Sequence, residues 1–402
     1  MRRFVLAFTL AANLASSVNA ADWLQFRGPN GSGVSIETNL PPNLDASAIR
    51  WKIALPGRGL SSPIIVGDRV FVTAATGLDQ ERLHVLCFSA KEGAKLWERQ
   101  FWATGRTMSH PKTCVAAGTP CSDGQRLFAL FSSNDLFCLD LDGNVLWIRG
   151  LTRDYPNASN SIGMASSPVV VGDTFVAQIE NDSESFALGI DVATGVNRWK
   201  RERPKIANWT SPVVLPDAKS GKPVVLLQSG PGVSAVDART GEEVWYYFES
   251  AGTIPSSTLA NGVVFVPAKG LTALKPGAAG ERPEVLWQSN QLKPATSSPV
   301  VVGGHVFAVN GAGILTCGAV QDGQRLWQLR LNGPISATPI ASGKHLFLVN
   351  EKGLLQVVDL TAPQGAVVGT LDLKDTILGT PSISRGALFV RSDKTLWKLG
   401  GS

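Results

Sequence analysis

Two segments of the sequence decide the fold: Ser167-Pro-Val-Val-Val-Gly-Asp-Thr-Phe-Val176 and, further along, Ile190-Asp-Val-Ala-Thr-Gly-Val-Asn-Arg-Trp199. The first predicts two short apolar strands joined by a Gly-Asp turn. The second predicts a strand, a tight turn and an outer strand that carries a tryptophan. Together they form one four-stranded antiparallel unit, and such a unit cannot bury both of its faces alone, so copies of it must pack on one another.

The unit recurs eight times along the chain. Seven copies begin at a Ser/Thr-Pro step: Ser62-Pro63, Thr119-Pro120, Ser167-Pro168, Ser211-Pro212, Ser298-Pro299, Thr338-Pro339 and Thr380-Pro381. In the remaining copy, Ser256-Ser257-Thr258, we place Thr258 at the proline position. Residues 51–400 allow about 44 residues for each copy, which is the length of a propeller blade. We therefore predict an all-β fold, an eight-bladed β-propeller of four-stranded blades.

The two ends of the repeat region predict how the ring closes. The eighth copy stops after Leu396-Trp397-Lys398-Leu399, before its fourth strand, and Ile49-Arg50-Trp51-Lys52-Ile53 is similar to the strand that is missing. We therefore expect strands from both ends of the chain to share one blade. The propeller then spans residues 49–400, and residues 21–48 form an N-terminal extension.

Residues 1–20 have the pattern of a secretory signal peptide. Arg2 and Arg3 precede an apolar run from Phe4 to Ala15, and Val18-Asn19-Ala20 is a small-residue cleavage site. No other stretch approaches 18 apolar residues, so we expect no transmembrane segment. The expected mature protein is soluble and monomeric, in the periplasm or otherwise exported.

Composition and charge narrow the class of protein. Hydrophobic residues make up 44% of the chain, which argues against disorder, and the 41 Gly and 24 Pro favour a turn-rich β fold. The formal net charge is only +5, with the basic residues scattered and no run of five or six of them. We therefore expect no binding to nucleic acid.

Tryptophan is unusually frequent, with 11 Trp against 3 Tyr. Seven of them occupy one repeat position in the outer strand: Trp51, Trp97, Trp147, Trp199, Trp245, Trp287 and Trp327. The seventh unit has Val367-Val368-Gly369 there instead. An indole is a large apolar plate with one N–H donor, so we predict that each one packs on the neighbouring blade and donates to a backbone acceptor.

The turn-plus-Trp segments Asp191–Trp199 and Asp237–Trp245 resemble the tryptophan-docking motif of pyrroloquinoline-quinone (PQQ) repeat propellers, and weaker copies end at Trp97, Trp147, Trp287 and Trp327. The segment Trp23-Leu-Gln-Phe-Arg-Gly-Pro29 is similar to the N-terminal segment of exported bacterial PQQ-like propellers. The resemblance covers residues 51–400, and it implies that each of these indoles docks on the next blade.

The resemblance implies two classes of function: the scaffold role of the barrel-assembly lipoprotein BamB, and the redox chemistry of quinoprotein dehydrogenases. This sequence has neither the vicinal Cys-Cys pair of those dehydrogenases nor the anchoring cysteine of the lipoprotein. We therefore expect a non-catalytic binding or scaffold module without a cofactor, whose partner is a cell-envelope protein or a small anionic or carbohydrate ligand. The alternative is a PQQ-dependent dehydrogenase of alcohols or sugars, with calcium and an atypical site.

Few residue types that carry catalysis or bind metals stand out. Cys87, Cys138 and Cys317 take equivalent positions in their units, so we interpret them as small core residues. Cys114 and Cys121 lie seven residues apart in an exported chain, which leaves open either a disulfide or two free thiols. We expect the acidic stretch Glu180–Glu184 to be a solvated loop, and we predict no catalytic residue and no metal site.

Loop length predicts which face binds a partner. The turns between the second and third strands, and the segments before each first strand, carry nearly all of the variation in length. Seven residues in these segments are candidates for ligand or partner binding near the central funnel: Arg58, His110, Lys112, Asn160, Lys205, Trp209 and Lys293. Converging basic groups would attract an anionic ligand, and Trp209 offers a flat surface for stacking. The alternative is that these groups are ordinary solvated loop charges.

Overall fold

The computed structural model describes residues 22–158, 162–216 and 223–401. Eight blades of four antiparallel strands form a ring within these residues, and a short strand of the N-terminal extension adds a fifth, parallel strand to one of them. This arrangement confirms the predicted eight-bladed propeller. The predicted signal segment, residues 1–20, and the candidate Asn160 lie outside the described residues. No helix in the described part of the chain is long and apolar enough to cross a membrane.

The chain enters the ring through a short strand and an outer strand and then forms the blades in sequence. The entering strands are β1 (Val34–Ser35) and β2 (Ile49–Ala54), and a 3-10 turn, Ala46–Ala48, lies between them. Blade one contains β3 (Ile64–Val66), β4 (Arg69–Thr76), β5 (Arg82–Ser89) and β6 (Lys95–Trp102). Blade two contains β7 (Cys121–Ser122), β8 (Arg126–Leu130), β9 (Asp135–Asp140) and β10 (Val145–Gly150), followed by the helix α1 (Leu151–Asp154). Blade three contains β11 (Val169–Val171), β12 (Thr174–Ile179), β13 (Phe186–Asp191) and β14 (Asn197–Glu202).

The second half of the ring repeats this order. Blade four contains β15 (Val213–Leu215), β16 (Val224–Ser229), β17 (Gly232–Asp237) and β18 (Glu243–Tyr247). Blade five contains β19 (Thr258–Ala260), β20 (Val263–Val266), β21 (Leu271–Lys275) and β22 (Glu284–Ser289). Blade six contains β23 (Val300–Val302), β24 (His305–Val309), β25 (Ile314–Ala319) and β26 (Arg325–Arg330). Blade seven contains β27 (Ile340–Ser342), β28 (His345–Val349), β29 (Leu354–Asp359) and β30 (Ala366–Asp372), and blade eight contains β31 (Ser382–Ser384), β32 (Ala387–Arg391) and β33 (Thr395–Gly400).

The eighth blade takes its outer strand from the other end of the chain. Strand β2 pairs antiparallel with β33, with Ile53 opposite Leu396 and Ile49 opposite Leu399. This pairing confirms the predicted closure. It joins the two ends of the propeller through backbone hydrogen bonds, so that the ring leaves no open gap between its first and last blades.

The Ser/Thr-Pro step has a structural cause, because seven of the eight Ser or Thr hydroxyls accept a hydrogen bond from the backbone N–H of the counterpart in the preceding blade. Among the described residues Ser62 is the exception, and it belongs to the set through its own backbone N–H, which donates to the Thr119 hydroxyl. The distances lie between 2.9 and 3.1 Å. We call this set the hydroxyl belt: Ser62, Thr119, Ser167, Ser211, Ser256, Ser298, Thr338 and Thr380. The prediction that Thr258 takes the proline position of blade five is wrong: Ser257 takes it, because Ser256 is the belt member and β19 starts at Thr258.

Trp199 illustrates the contact between neighbouring blades. Its Nε1 donates to the carbonyl of Ala238 in blade four at 3.0 Å. Its ring covers Gly241, where φ is 73° and an added Cβ would lie 2.6 Å from the indole Cδ2. Only glycine combines that backbone conformation with so close an approach. The corresponding glycines lie under five further outer-strand tryptophans, Trp51, Trp97, Trp147, Trp287 and Trp327.

Blade seven lacks the tryptophan because the N-terminal extension occupies its place. Gly369 lies at the tryptophan position, opposite Val357, and a Cβ there would be 2.3 Å from the carbonyl oxygen of Pro42. Leu40 and Leu44 of the extension are buried in the hydrophobic cluster that joins blades seven and eight. The extension therefore supplies the apolar contact that an indole supplies between the other blades.

The five cysteines are buried free thiols. Cys114 and Cys121 belong to two different hydrophobic clusters, so the disulfide that the sequence left open is not formed. Burial raises the pKa of Cys114 to about 12 and that of Cys121 well above its usual value. Both side chains therefore pack as small neutral groups.

Asp191 in the turn of blade three predicts a measurable pH dependence. Hydrogen bonds from the Arg198 side chain and from the Thr194 backbone hold the pKa of Asp191 at about 2, below its usual value of 3.8. A lowered carboxyl pKa stabilises the fold above the unfolded-state value, and this stabilisation is lost as the pH falls through the folded-state value. We expect Asp191→Asn to be less stable than the wild type at about pH 5, with the difference shrinking towards about pH 2 in urea denaturation. A difference that does not vary with pH would contradict this assignment.

Candidate functional site

The N-terminal extension crosses one face of the ring. Trp23 forms a β-bridge with Ile65 of blade one, and the carbonyl of Leu24 accepts from the backbone N–H of Ser122 in blade two. Further along, the Arg27 guanidinium donates to the Thr258 hydroxyl of blade five at 2.7 Å. Strand β1 then pairs parallel with β27 of blade seven. Because the extension contacts blades on opposite sides of the ring, it closes the central channel at this face.

A cavity of about 400 Å³ lies at the other end of the channel, and we call it the cup. Phe26 of the extension lines it together with seven members of the hydroxyl belt, all except Ser62. Further apolar residues that line it are Leu60, Ile162, Trp209, Ile254 and Leu378. The cup therefore combines apolar groups with hydroxyl groups, and its volume falls in the range of small-ligand sites.

Three of the seven candidate binding residues line the cup: His110, Lys112 and Trp209. Arg58 lies beside it, because its guanidinium donates to the carbonyl of Pro111 at 2.7 Å. Lys205 and Lys293 are not among the lining residues, and Lys293 instead lines a shallow depression beside Pro255. The structure therefore brings together about half of the predicted set.

Two basic side chains at the open end of the cup, which we call its mouth, form ion pairs with acidic residues. The Lys112 ammonium donates to both carboxylate oxygens of Glu351 in blade seven at 2.9 Å, and Arg58 forms an ion pair with Asp393 at 3.3 Å. The Lys112 and Ser336 hydrogen bonds lower the pKa of Glu351 even though burial opposes them, so this carboxylate stays ionised. The mouth is therefore less positive than the sequence suggests, and apolar contact dominates the cup.

A buried ion pair supports the segment that carries Trp209. Glu180, which is 2% exposed, accepts from the Arg203 Nε at 2.5 Å and from the Asn208 side chain at 3.0 Å. Trp209 in turn donates from its Nε1 to the carbonyl of Gly163 at 2.9 Å, which fixes the indole against the cup. The expectation of a solvated loop is thus wrong for Glu180, because residues distant in sequence bury it.

Nothing in the sequence around Glu180 signalled this role. Arg203 is 23 residues away and Ser229, whose hydroxyl donates to Glu180 at 2.6 Å, is 49 residues away. The sequence also provided no indication that Phe26 lines the cup, because Phe26 lies outside the repeats and has no equivalent position in them. Phe26 lines the cup, and Glu180 supports it indirectly by holding Asn208 next to Trp209. Both roles depend on contacts between residues far apart in sequence, which local patterns do not report.

The comparisons with known proteins agree with this architecture. A sequence model of the family described as outer membrane protein assembly factor BamB matches residues 43–247, 278–361 and 322–401. The chain belongs to this family of PQQ-repeat propellers. No curated relative matches the sequence.

Solved structures of BamB and of quinoprotein dehydrogenases share the fold. BamB from Moraxella catarrhalis matches with a TM-score of 0.62 and 15% identity, over 87% of this chain and 96% of that one. Quinohemoprotein alcohol dehydrogenase from Comamonas testosteroni matches with a TM-score of 0.70 and 12% identity, over 96% and 82%. A europium-containing methanol dehydrogenase matches with a TM-score of 0.55 and 13% identity, over 92% and 90%. At these identities the likeness shows the fold.

The residues of the cup in this PQQ-repeat propeller do not fit PQQ with calcium. Calcium needs six or more oxygen ligands that include carboxylates, and no carboxylate among the described residues lines the cup. No group of three or more His, Cys, Asp or Glu in the described ranges could hold a metal ion. PQQ itself carries three carboxylates, whereas the described part of the lining offers one ammonium, that of Lys112, which is paired with Glu351, and the imidazole of His110.

Proposed function

We propose that this protein is an exported, non-catalytic binding module of the cell envelope, and that the cup is where it binds a protein partner. The observation that carries the proposal is the closed apolar cup on the face with the longest loops. A pocket of this kind buries an anchoring side chain well, because apolar surface leaves water there while belt hydroxyls supply polar contacts.

Three further observations support the proposal. The family model describes an assembly factor, and BamB from Moraxella catarrhalis shares the fold over most of both chains. The signal pattern of residues 1–20 is typical of an exported protein and favours a location outside the cytoplasm, most simply the periplasm. Ile162 and Ile254 are 41% and 47% exposed, so apolar surface is available at the cup.

Ile254→Asp tests the cup as the binding site. The variant places a charge at an exposed apolar position, so we expect it to weaken capture of the partner by at least about tenfold without unfolding the propeller. The measurement is crosslinking of the purified protein to envelope proteins, followed by identification and titration of the captured species. The matched control is Val196→Asp, at a 64% exposed aliphatic residue in a turn outside the cup. Equal loss in both variants would contradict the cup as the site.

The quinoprotein alternative needs its own test, because quinohemoprotein alcohol dehydrogenase also shares the fold over 96% of this chain. The purified protein is mixed with PQQ and calcium, and quinone absorbance after gel filtration and dye-linked oxidation of alcohols or sugars are measured. We expect neither retained quinone nor turnover. Retained quinone with turnover would replace the binding proposal by the dehydrogenase alternative.

A further inference from the structure

Seven hydroxyls of the belt line the cup without donating their hydrogens to the protein. Each Oγ accepts one backbone N–H, and a hydroxyl still has one hydrogen to donate. Across the described ranges, none of these seven hydrogens is donated to a protein acceptor. The cup therefore presents a ring of O–H donors that comes from seven different blades.

Thr113 adds an eighth hydroxyl by an independent route. It belongs to the long insertion before blade two, lines the cup and is 8% exposed. Its Oγ1 has no hydrogen-bond partner among the residues that the structure describes. A buried hydroxyl without a partner costs about 1–3 kcal/mol, and native proteins satisfy such groups with water or a ligand. Thr113 therefore adds one more O–H donor to the lining of the cup, and a bound group that accepts hydrogen bonds can satisfy it.

A positive charge, that of Arg27, lies behind the cup and has no counterion among the described residues. The Arg27 guanidinium is 1% exposed, and its Cζ lies 5.6 Å from the centre of the Phe26 ring, which lines the cup. Its partners are neutral, the Thr258 hydroxyl and the Ser257 carbonyl, and its Nε has no partner within the described residues. Burial lowers the pKa of Arg27 to about 9, so the group stays charged at neutral pH. A buried cation without an acid favours an anion nearby.

We propose that the cup binds a carboxylate attached to a compact apolar body. The carboxylate oxygens accept from the belt hydroxyls and from Thr113, and the apolar body packs on Trp209 and Ile254. This inference rests on the proposed function, since it names the chemistry that the same cup recognises. A free small acid and the C-terminal carboxylate of a partner protein share this chemistry.

The test compares three probes with one cyclohexyl body by isothermal titration calorimetry: cyclohexanecarboxylate, cyclohexylmethanol and cyclohexylmethylammonium. We expect the carboxylate to bind about tenfold more tightly than the alcohol and the ammonium to bind most weakly. Equal binding of the carboxylate and the alcohol, or tightest binding of the ammonium, would overturn the proposal. A short peptide ending in phenylalanine, compared with its C-terminal amide, separates a chain terminus from a free acid as the source of the carboxylate.

Two variants test whether Arg27 and Thr113 cause the preference for the carboxylate. Arg27→Met removes the buried charge, and we expect the preference for carboxylate over alcohol to fall by about tenfold while alcohol binding is unchanged. Thr113→Val removes a hydroxyl that has no partner among the described residues, so we expect the variant to fold. We expect it to lower the affinity for the carboxylate by about threefold. This variant keeps the test available if Arg27→Met does not fold. The control is Arg325→Met in an outer strand. An unchanged preference for carboxylate over alcohol in both variants would overturn the carboxylate proposal. The proposed function is tested separately, because partner capture by Ile254→Asp is measured without these probes.

Discussion

Trp199→Ala is expected to lower the free energy of unfolding by about 3–5 kcal/mol, the usual cost of truncating a large buried aromatic side chain. Trp199 is 8% exposed and packs across the boundary between blades three and four. The substitution removes its apolar contact with Gly241 and leaves the Ala238 carbonyl without its 3.0 Å donor. Urea denaturation followed by circular dichroism measures the change.

Trp102 provides a matched control for this prediction. It is the same residue type in an outer strand but is 59% exposed, and its described ring partner is the Arg82 guanidinium at 4.0 Å. We expect Trp102→Ala to cost less than about 1 kcal/mol. A Trp199→Ala cost below about 1 kcal/mol, similar to that of Trp102→Ala, would show that the indole does not hold the two blades together.

Glu180→Ala is the second substitution with a large expected effect, again about 3–5 kcal/mol of destabilisation. It leaves the Arg203 guanidinium, whose side chain is 4% exposed, buried without its acid. The Arg203 contacts that remain, to the Ser234 hydroxyl and the Leu227 carbonyl, are neutral. Since Glu180 also holds Asn208, next to Trp209, we expect partner capture at the cup to weaken in the same variant. Denaturation and crosslinking measure the two effects separately.

Two controls separate the buried charge from the loss of a side chain. The double variant Glu180→Leu with Arg203→Met removes both charges and should cost less than Glu180→Ala alone, because no unpaired ion remains. Glu284→Ala breaks the exposed pair with Lys275, whose side chains are 63% and 66% exposed, and should cost at most about 1 kcal/mol. A Glu180→Ala cost no larger than that of Glu284→Ala would contradict the role of the buried pair.

The candidate site was only partly predictable from the sequence. Trp209, His110 and Lys112 were placed near the funnel because they precede the Ser/Thr-Pro steps, and these three do line the cup. The same argument grouped Lys205 and Lys293 with them, but neither residue is part of the cup lining, since position along a loop does not determine which way a flexible side chain points. It also missed that Lys112 reaches Glu351, which is 239 residues away.

The sequence by itself determined the architecture. Repeated Ser/Thr-Pro steps, apolar strands and Trp-bearing turns have a period of one blade, and a unit that cannot bury its faces alone must stack into a ring. The missing fourth strand of the last unit also determined the closure by β2. These features were predictable because the contacts behind them lie within one blade or between neighbouring equivalent positions.

Only the tertiary structure decided what lies inside the ring. It showed that the extension closes the channel, that Gly369 makes room for Pro42, and that Arg27 reaches Thr258 across 231 residues of sequence. It also placed Ser257, not Thr258, at the proline position, where its free N–H donates to Gln228 at 2.7 Å. None of these contacts repeats along the chain, and each joins residues far apart in sequence, so no local pattern encodes them and only packing of the whole chain brings them together.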